Sequence, residues 1–319
     1  MLYYCFGYDH IISLLGIAFA FFTTFFSTKF LMKYLPLDRG KEYAHDGQAS
    51  KGKPQGAGLF FVLSFIVSYL IFGPVDLEFF VYLILMAGCM VTGFLDDKAV
   101  MPWGRVKKGL LDLGIAVLVA VNYIWFNGSD VTFILFGYNT VHFPVIIMGI
   151  VIVAAVWGMI NVTNCADGVD GLSASLSIVT LLSIYRVLTF EGIERSDGYH
   201  IILFVVCLLA YLWFNAFKSI LMMGDAGSRA MGFFLAIAAM KTGSIFIIIP
   251  LAVMIILDGG LGLVKITLIK TCKIHIFKNI TFPLHDHVRK KMGWENMHCV
   301  FRFMIIQAVV NILFIFLVF

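Results

Sequence analysis

Long apolar runs separated by short polar segments set the plan of this chain. Runs long enough to enter a bilayer lie at about 11–34, 56–73, 78–95, 109–126 and 144–160, and again at about 172–188, 200–215, 230–242, 245–268 and 301–319. A helix that crosses the hydrocarbon core takes roughly 20 mainly apolar residues. Within the runs neither a helical nor an alternating period stands out, as expected for helices surrounded by apolar partners and lipid. The pattern predicts an all-α, polytopic integral membrane protein of about ten transmembrane helices, built as a single domain over residues 1–319. The run at 230–242 is short for a span.

Composition points the same way. Of 319 residues, 61% are hydrophobic and 13% charged, and the mean hydropathy is +0.96. A soluble domain covers its surface with roughly a quarter charged residues, so most of this surface must face the lipid bilayer. The net charge of +4 is modest, and no nucleic-acid partner is expected. Cys5, Cys89, Cys165, Cys207, Cys272 and Cys299 show no metal-binding spacing and read as small buried hydrophobes. The first apolar run has no basic region before it and no cleavage pattern, so it reads as a retained helix.

Charge placement gives an orientation. Lys29, Lys33, Arg39, Lys41, Lys51 and Lys53 cluster over 29–55, from the end of the first run onward, and Lys98, Arg105, Lys107 and Lys108 follow the third. The richest stretch runs from Lys265 to Arg302, whereas 74–78 and 127–143 contain no Lys or Arg. Short loops rich in Lys and Arg stay on the cytoplasmic side, which predicts both termini outside. The 189–199 loop, outward in this scheme, carries Arg195 together with Glu191, Glu194 and Asp197.

Carboxylates at a membrane edge are costly unless used, and here they gather at predicted cytoplasmic helix ends. Asp96 and Asp97 close the third helix. Asp167 and Asp170 sit in Asn164-Cys-Ala-Asp167-Gly168-Val-Asp170-Gly171, between the fifth and sixth. Asp225 lies in Met-Gly224-Asp225-Ala-Gly227-Ser228, between the seventh and eighth. Any one of these alone reads as a solvated cap or a turn. Jointly on one face they suit metal-dependent phosphoryl transfer, because hard oxygen ligands select Mg²⁺, which takes one or two carboxylates plus substrate phosphates. Gly168, Gly171, Gly224 and Gly227 allow close backbone approach to a phosphate, while Asn161, Asn164 and Asn215 can hydrogen-bond a base, ribose or sugar. Elsewhere the spans are nearly free of ionisable groups, with Asp112 the exception. An ion-coupled transporter would instead carry charged groups near the midplane, often in a repeated architecture.

A fourth constellation, His285-Asp286-His287-Val-Arg289-Lys290-Lys291, precedes the last run. It reads either as a diphosphate-binding and proton-handling patch or as a basic segment at anionic headgroups. Phosphate would repel the Asp286 carboxylate, so it is expected to turn away and orient a histidine or pair with a cation.

Together, Gly-Phe-Leu-Asp96-Asp97, Asn164-Cys-Ala-Asp167-Gly168-Val-Asp170-Gly171-Leu, Met-Gly224-Asp225-Ala-Gly-Ser228 and Pro-Leu-His285-Asp-His287 resemble the phospho-N-acetylmuramoyl-pentapeptide transferases. These belong to the polyprenyl-phosphate N-acetylhexosamine-1-phosphate transferase superfamily, and the likeness covers about residues 20–319. The resemblance implies a ten-helix, usually homodimeric enzyme of the bacterial cytoplasmic membrane with a cytoplasmic cleft. It implies transfer of phospho-MurNAc-pentapeptide from UDP-MurNAc-pentapeptide to undecaprenyl phosphate, releasing UMP, with Mg²⁺. By motif, Asp225 is the expected Mg²⁺ ligand and a catalytic residue, joined by Asp96 and Asp97, which activate the lipid phosphate or support the metal. His285 and His287 match the outer members of a His-His-His motif. Asn164, Asp167, Gly168, Asp170, Asn215 and Gly224 match the substrate-binding centre.

The sequence departs from the family at two places. Asp286 replaces the middle histidine. Lys53-Pro54-Gln55-Gly56-Ala57-Gly58 replaces a Thr-Pro-Thr-Met-Gly-Gly segment, and the resemblance implies that either Lys51 or Lys53 takes the place of the lysine that binds substrate phosphate in relatives. The alternative within the superfamily is a UDP-GlcNAc-dependent GlcNAc-1-phosphate transferase. The Lys290-Lys-Met-Gly293-Trp294 segment followed by Val300-Phe301-Arg302-Phe303 resembles the MurNAc-pentapeptide branch.

Overall fold

The computed structural model describes residue 2 and residues 10–40, 50–134, 139–190, 198–274, 276–277 and 279–319. Cys5, Lys41, Lys278 and the charges at Glu191, Glu194, Arg195 and Asp197 lie outside them. The described chain is helical apart from one short hairpin. Its helices are α1 (His10–Leu31), α2 (Gly58–Phe72), α3 (Leu77–Lys98), α4 (Arg105–Asn127), α5 (Val145–Ala166), α6 (Leu172–Phe190), α7 (Tyr199–Asn215) and α8 (Gly224–Met240). They continue with a broken α9 (Ile245–Leu251 and Val253–Cys272), α10 (Leu284–Met292) and α11 (Asn296–Val318). Strands β1 (Asp130–Phe133) and β2 (Asn139–His142) pair antiparallel between α4 and α5.

Each of the ten apolar runs holds helix, but not every one is long enough by itself to cross a bilayer. Among the described residues six helices are long and apolar enough to cross a membrane, or seven if the two pieces of α9 count as one. Helices α2 and α7, with 15 and 17 residues, fall short. Helix α8 begins with Gly224 and Asp225 well before the apolar run at 230–242, and it carries Arg229. Local chemistry explains the boundaries. The Asp76 carboxylate accepts the Phe79 N–H at 2.6 Å and caps α3. Pro250, which has no N–H to give, lies just before the 74° bend between the two pieces of α9, and a π-helical turn, Ile256–Gly260, follows it.

Helix α8 forms the centre. From Ala226 to Met240 every residue is buried, and the helix packs against α2, α3, α5 and α6. Small residues let backbones touch. A Cβ on Gly93 of α3 would strike the Asp225 carbonyl, and one on Gly58 of α2 would strike the backbone of Gly227. Such contacts are how helices associate where lipid gives no hydrophobic drive. Midway along, the Phe204 and Phe234 rings pack tilted with centroids 4.2 Å apart, and Phe65 meets Phe234 edge-on at 5.1 Å. On the outside Phe22, Phe26, Phe30, Ile146 and Phe316 are exposed, as a lipid-facing surface requires.

Asp112 is not the only charge inside the bundle. Arg229 and Asp258 are also fully buried. Arg229 Nε donates to Asp112 Oδ1 at 3.1 Å, and Nη2 binds the same oxygen. At the start of α3, Glu78 accepts from Tyr82 Oη (2.9 Å), Asn127 Nδ2 (2.8 Å) and Lys241 Nζ (2.8 Å), tying α3 to the far ends of α4 and α8. The reading of cysteines as buried hydrophobes holds at Cys89, Cys207 and Cys299, whereas Cys272 is exposed.

Breaking a buried pair leaves one uncompensated charge, whereas replacing both partners with apolar groups can be neutral. Arg229→Leu should therefore lower unfolding free energy by about 3–5 kcal/mol. Adding Asp112→Leu should recover most of that loss in the same denaturation measurement.

Candidate active site

The polar segment before α2 is held on both sides. Asp38 N–H donates to the Lys53 carbonyl (2.8 Å) and Gln55 N–H to that of Pro36 (2.8 Å). Met222 N–H donates to the Pro54 carbonyl (2.8 Å), and the N–H groups of Gly56 and Ala57 turn to the Met222 carbonyl. This sandwich places Lys53 and Gln55 beside the start of α8. Lys53 Nζ reaches Ser219 Oγ (2.9 Å) and Asp170 Oδ2 (3.4 Å). Lys51 is exposed instead.

Asp97 acts on the start of α8. Its Oδ1 accepts the Asp225 N–H (3.0 Å) and Gln55 Nε2 (2.7 Å), and its Oδ2 accepts the Ala226 N–H (3.1 Å). The first N–H groups of a helix have no partner within it and carry partial positive charge, so a carboxylate from α3 satisfies them. Gly224, with φ +67°, sits against the same carboxylate, where a Cβ would collide with it.

Asp225 is thereby aimed into the cleft. Its Oδ1 accepts Asn164 Nδ2 (3.0 Å), which also donates to Ser228 Oγ (2.8 Å), and its Oδ2 takes Lys108 Nζ (2.8 Å). The same ammonium binds Asp96 Oδ2, and Asp96 Oδ1 accepts the Trp103 N–H at 2.5 Å. Two carboxylates from α3 and α8 thus share one cation. This donor set of hard oxygens suits a divalent ion that adds phosphate oxygens to one or two carboxylates. Among the described residues, no group of three or more His, Cys, Asp or Glu is arranged to hold a metal without such help.

A cavity of about 530 Å³ opens beside this pair. Its walls bring together Lys53, Asn164, Asp167, Gly168, Asp170, Asn215, Gly224 and Asp225. Asn215 lines it while tying two loops, accepting the Gly171 N–H (2.9 Å) and donating to the Leu221 carbonyl (2.9 Å). Asp96 and Asp97 stand behind Asp225 rather than on the cavity wall.

The histidines divide. His285 is buried behind Gly168, and its Nε2 is the atom nearest the space a Cβ on Gly168 would occupy. His287 is half-buried, and its Nδ1 accepts the Thr281 N–H at 3.2 Å. Asp286 turns to cations, accepting Arg289 Nη2 (2.7 Å) and Lys290 Nζ (3.0 Å). Burial raises the Asp286 carboxyl, but the Lys290 hydrogen bond, His285 and Arg289 outweigh it and hold it below the usual carboxylate range.

In the sequence Lys108 reads only as a loop charge. A lysine in the first turn of a helix opposes the dipole, a mismatch that calls for a carboxylate partner. Gln55 carries no signal of its own in the sequence, whereas Asp258, an acid inside an apolar run, does.

The description "Glycosyl transferase family 4" belongs to the family model that matches residues 79–243. Among curated relatives, the phospho-N-acetylmuramoyl-pentapeptide-transferase of Treponema pallidum (strain Nichols) is 36% identical, across 94% of this chain and 88% of the relative. Proteins of the same name from Nautilia profundicola and from Clostridium botulinum (strain Alaska E43 / Type E3) are 26% and 28% identical. They cover 98% and 86% of this chain, and the same shares of their own.

Asp97→Asn keeps one acceptor oxygen but turns an amide donor toward backbone N–H groups. It should destabilise the fold by about 1–3 kcal/mol, the scale of leaving buried donors unsatisfied. Denaturant unfolding of the purified variant beside wild type measures this.

Proposed function

The chain belongs to glycosyl transferase family 4, and from that premise we propose that it transfers phospho-MurNAc-pentapeptide from UDP-MurNAc-pentapeptide to undecaprenyl phosphate. The products are undecaprenyl-pyrophosphoryl-MurNAc-pentapeptide and UMP. The coarser reading, a membrane-bound polyprenyl-phosphate sugar-phosphate transferase of peptidoglycan synthesis, rests on the family match and on the names of relatives aligned over nearly the whole chain. The observation that supports phosphoryl transfer is the convergence of Asp225, Asn164, Asp170 and Lys53 on one cavity, with Asp96 and Lys108 at its back, and the names of the relatives favour the MurNAc-pentapeptide donor. We further read the protein as a ten-span homodimer in the bacterial cytoplasmic membrane, with the cavity on the cytoplasmic face and both termini outside. The Lys and Arg distribution supports this orientation, and the family resemblance supports the dimer.

An oxygen of the lipid phosphate attacks the β-phosphorus of the nucleotide sugar, the bond from the bridging oxygen to that phosphorus breaks, and UMP leaves with the electron pair. Lys53 and Lys108 supply positive charge to the phosphates. Asn164 fixes the carboxylate of Asp225, and the Asp167–Asp170 loop with Asn215 encloses the nucleotide side. Asp225, with Asp96 across the shared cation, is the pair that would hold Mg²⁺. When bound, the ion neutralises phosphate charge. Asp96, behind Asp225, bears on the metal and on the attacking lipid phosphate through the Lys108 ammonium that the two carboxylates share. Asp97 carries the start of α8, so its effect on turnover passes through Asp225. His285 faces the phosphates from behind Gly168, and His287 anchors the 277–283 segment through Thr281.

Purified protein with undecaprenyl phosphate should release UMP from UDP-MurNAc-pentapeptide in preference to UDP-GlcNAc. The reverse preference would favour the GlcNAc-1-phosphate reading. Asp225→Asn should lower turnover at least about a thousandfold, the scale of losing a principal charge-stabilising element. Near-normal turnover by the folded variant would remove Asp225 from the chemistry.

A further inference from the structure

Asp258 has no role in the reaction as described, yet it is a fully buried acid inside an apolar helix. Such a group is costly unless paired, and an acid inside a membrane segment marks function more often than support. Its carboxylate binds His285 of α10. Nδ1 of that ring lies 2.8 Å from Oδ2 and 3.1 Å from Oδ1, and the His285 backbone N–H donates to Oδ1 at 2.8 Å.

The fold brings the two residues together from 27 positions apart. The π-helical turn over Ile256–Gly260 packs against α10, and Gly259 lies so close to the Val162 carbonyl of α5 that a Cβ would collide. The far side of the ring faces the substrate loop, since His285 Nε2 stands against Gly168, between Asp167 and Asp170. A carboxylate can only accept, so the ring nitrogen beside it must donate. That places a proton on Nδ1 and leaves Nε2 toward the loop. Among the described residues, charged groups near the ring include Asp286, whose Oδ1 lies 4.0 Å from Nε2, and Arg289, whose Nε donates to the His285 carbonyl at 3.2 Å. Cys299 of α11 is buried beside the same carboxylate.

We propose that Asp258 is a positioning residue for phosphosugar transfer. It holds the proton on His285 Nδ1 and aims Nε2 at the phosphates enclosed by the Asp167–Asp170 loop. An orienting carboxylate behind a histidine works in this way in other group-transfer enzymes. The proposal rests on the function assigned above. A purely structural role competes with it, because the bond to the His285 N–H also ties down the start of α10.

Two measurements separate these roles. In ¹⁵N solid-state NMR of the histidine-labelled protein in bilayers, the signals lost in His285→Ala should show a protonated Nδ1. An unprotonated Nδ1 would overturn the proposal, whatever the enzyme's activity. In the UMP-release assay, Asp258→Asn keeps an oxygen for the backbone N–H but presents an amide to the ring. Its kcat should fall about a hundredfold, the scale of one positioned proton-handling group, while KM for the UDP-sugar stays within about threefold. Asp258→Glu should recover part of the loss. Asp258→Asn/His285→Ala should be no slower than His285→Ala alone, because the two act as one unit. Multiplied losses in the double variant, or an unchanged kcat in Asp258→Asn, would make Asp258 structural. If wild type releases no UMP from either donor, the assigned function fails, and the NMR result still decides the geometry.

Discussion

The Asp97 carboxylate accepting the Asp225 and Ala226 N–H groups is the interaction on which the site depends. Helix α8 is wrapped by α2, α3, α5 and α6, and its first turn carries Asp225. A helix start in a membrane protein needs an acceptor for its free N–H groups. Supplying it from α3 fixes the two helices in rotation and in depth. Gly93 and Gly58 permit the approach, Gly224 leaves room for the carboxylate, and Gln55 is held by it as well. Asp225 then meets Asn164 from α5 and Lys108 from α4 through its carboxylate, so with Asp97 on its N–H four helices meet at this one residue.

Elsewhere the bundle resolves its internal charges in pairs, as lipid demands. Arg229 and Asp112 bind one turn below Asp225. Glu78 gathers Lys241, Tyr82 and Asn127 at the opposite end of the bundle. Asp258 takes a histidine. These partners come from helices distant in sequence, so each pair also fixes how those helices pack.

The order of helices was legible because apolar runs in a membrane chain need little tertiary information, and all ten carry helix. Their number as spans was less so. Length separates α2 and α7 from the long helices, and α9 is broken just after Pro250. The acids of the site were legible as a group, since Asp96, Asp97, Asp167, Asp170 and Asp225 all sit at helix ends near polar loops. Their separate tasks were not. Nothing in Asp96-Asp97 tells that one carboxylate grips a neighbouring helix while the other shares Lys108, because that depends on the rotation of α3 against α8. Likewise Lys53 and Lys51 look equivalent in sequence, and only the pairing of 36–38 with 53–55 turns Lys53 inward.

The central claim is that this cavity moves phosphate together with sugar, and isotopic labelling addresses it directly. UDP-MurNAc-pentapeptide carrying ³²P at the β-phosphate would be incubated with the purified protein and undecaprenyl phosphate, and the lipid and nucleotide fractions counted. The account predicts that the label leaves with the lipid and that the nucleotide product is unlabelled UMP. Label retained in UDP would mean that the sugar alone is transferred, and would contradict it.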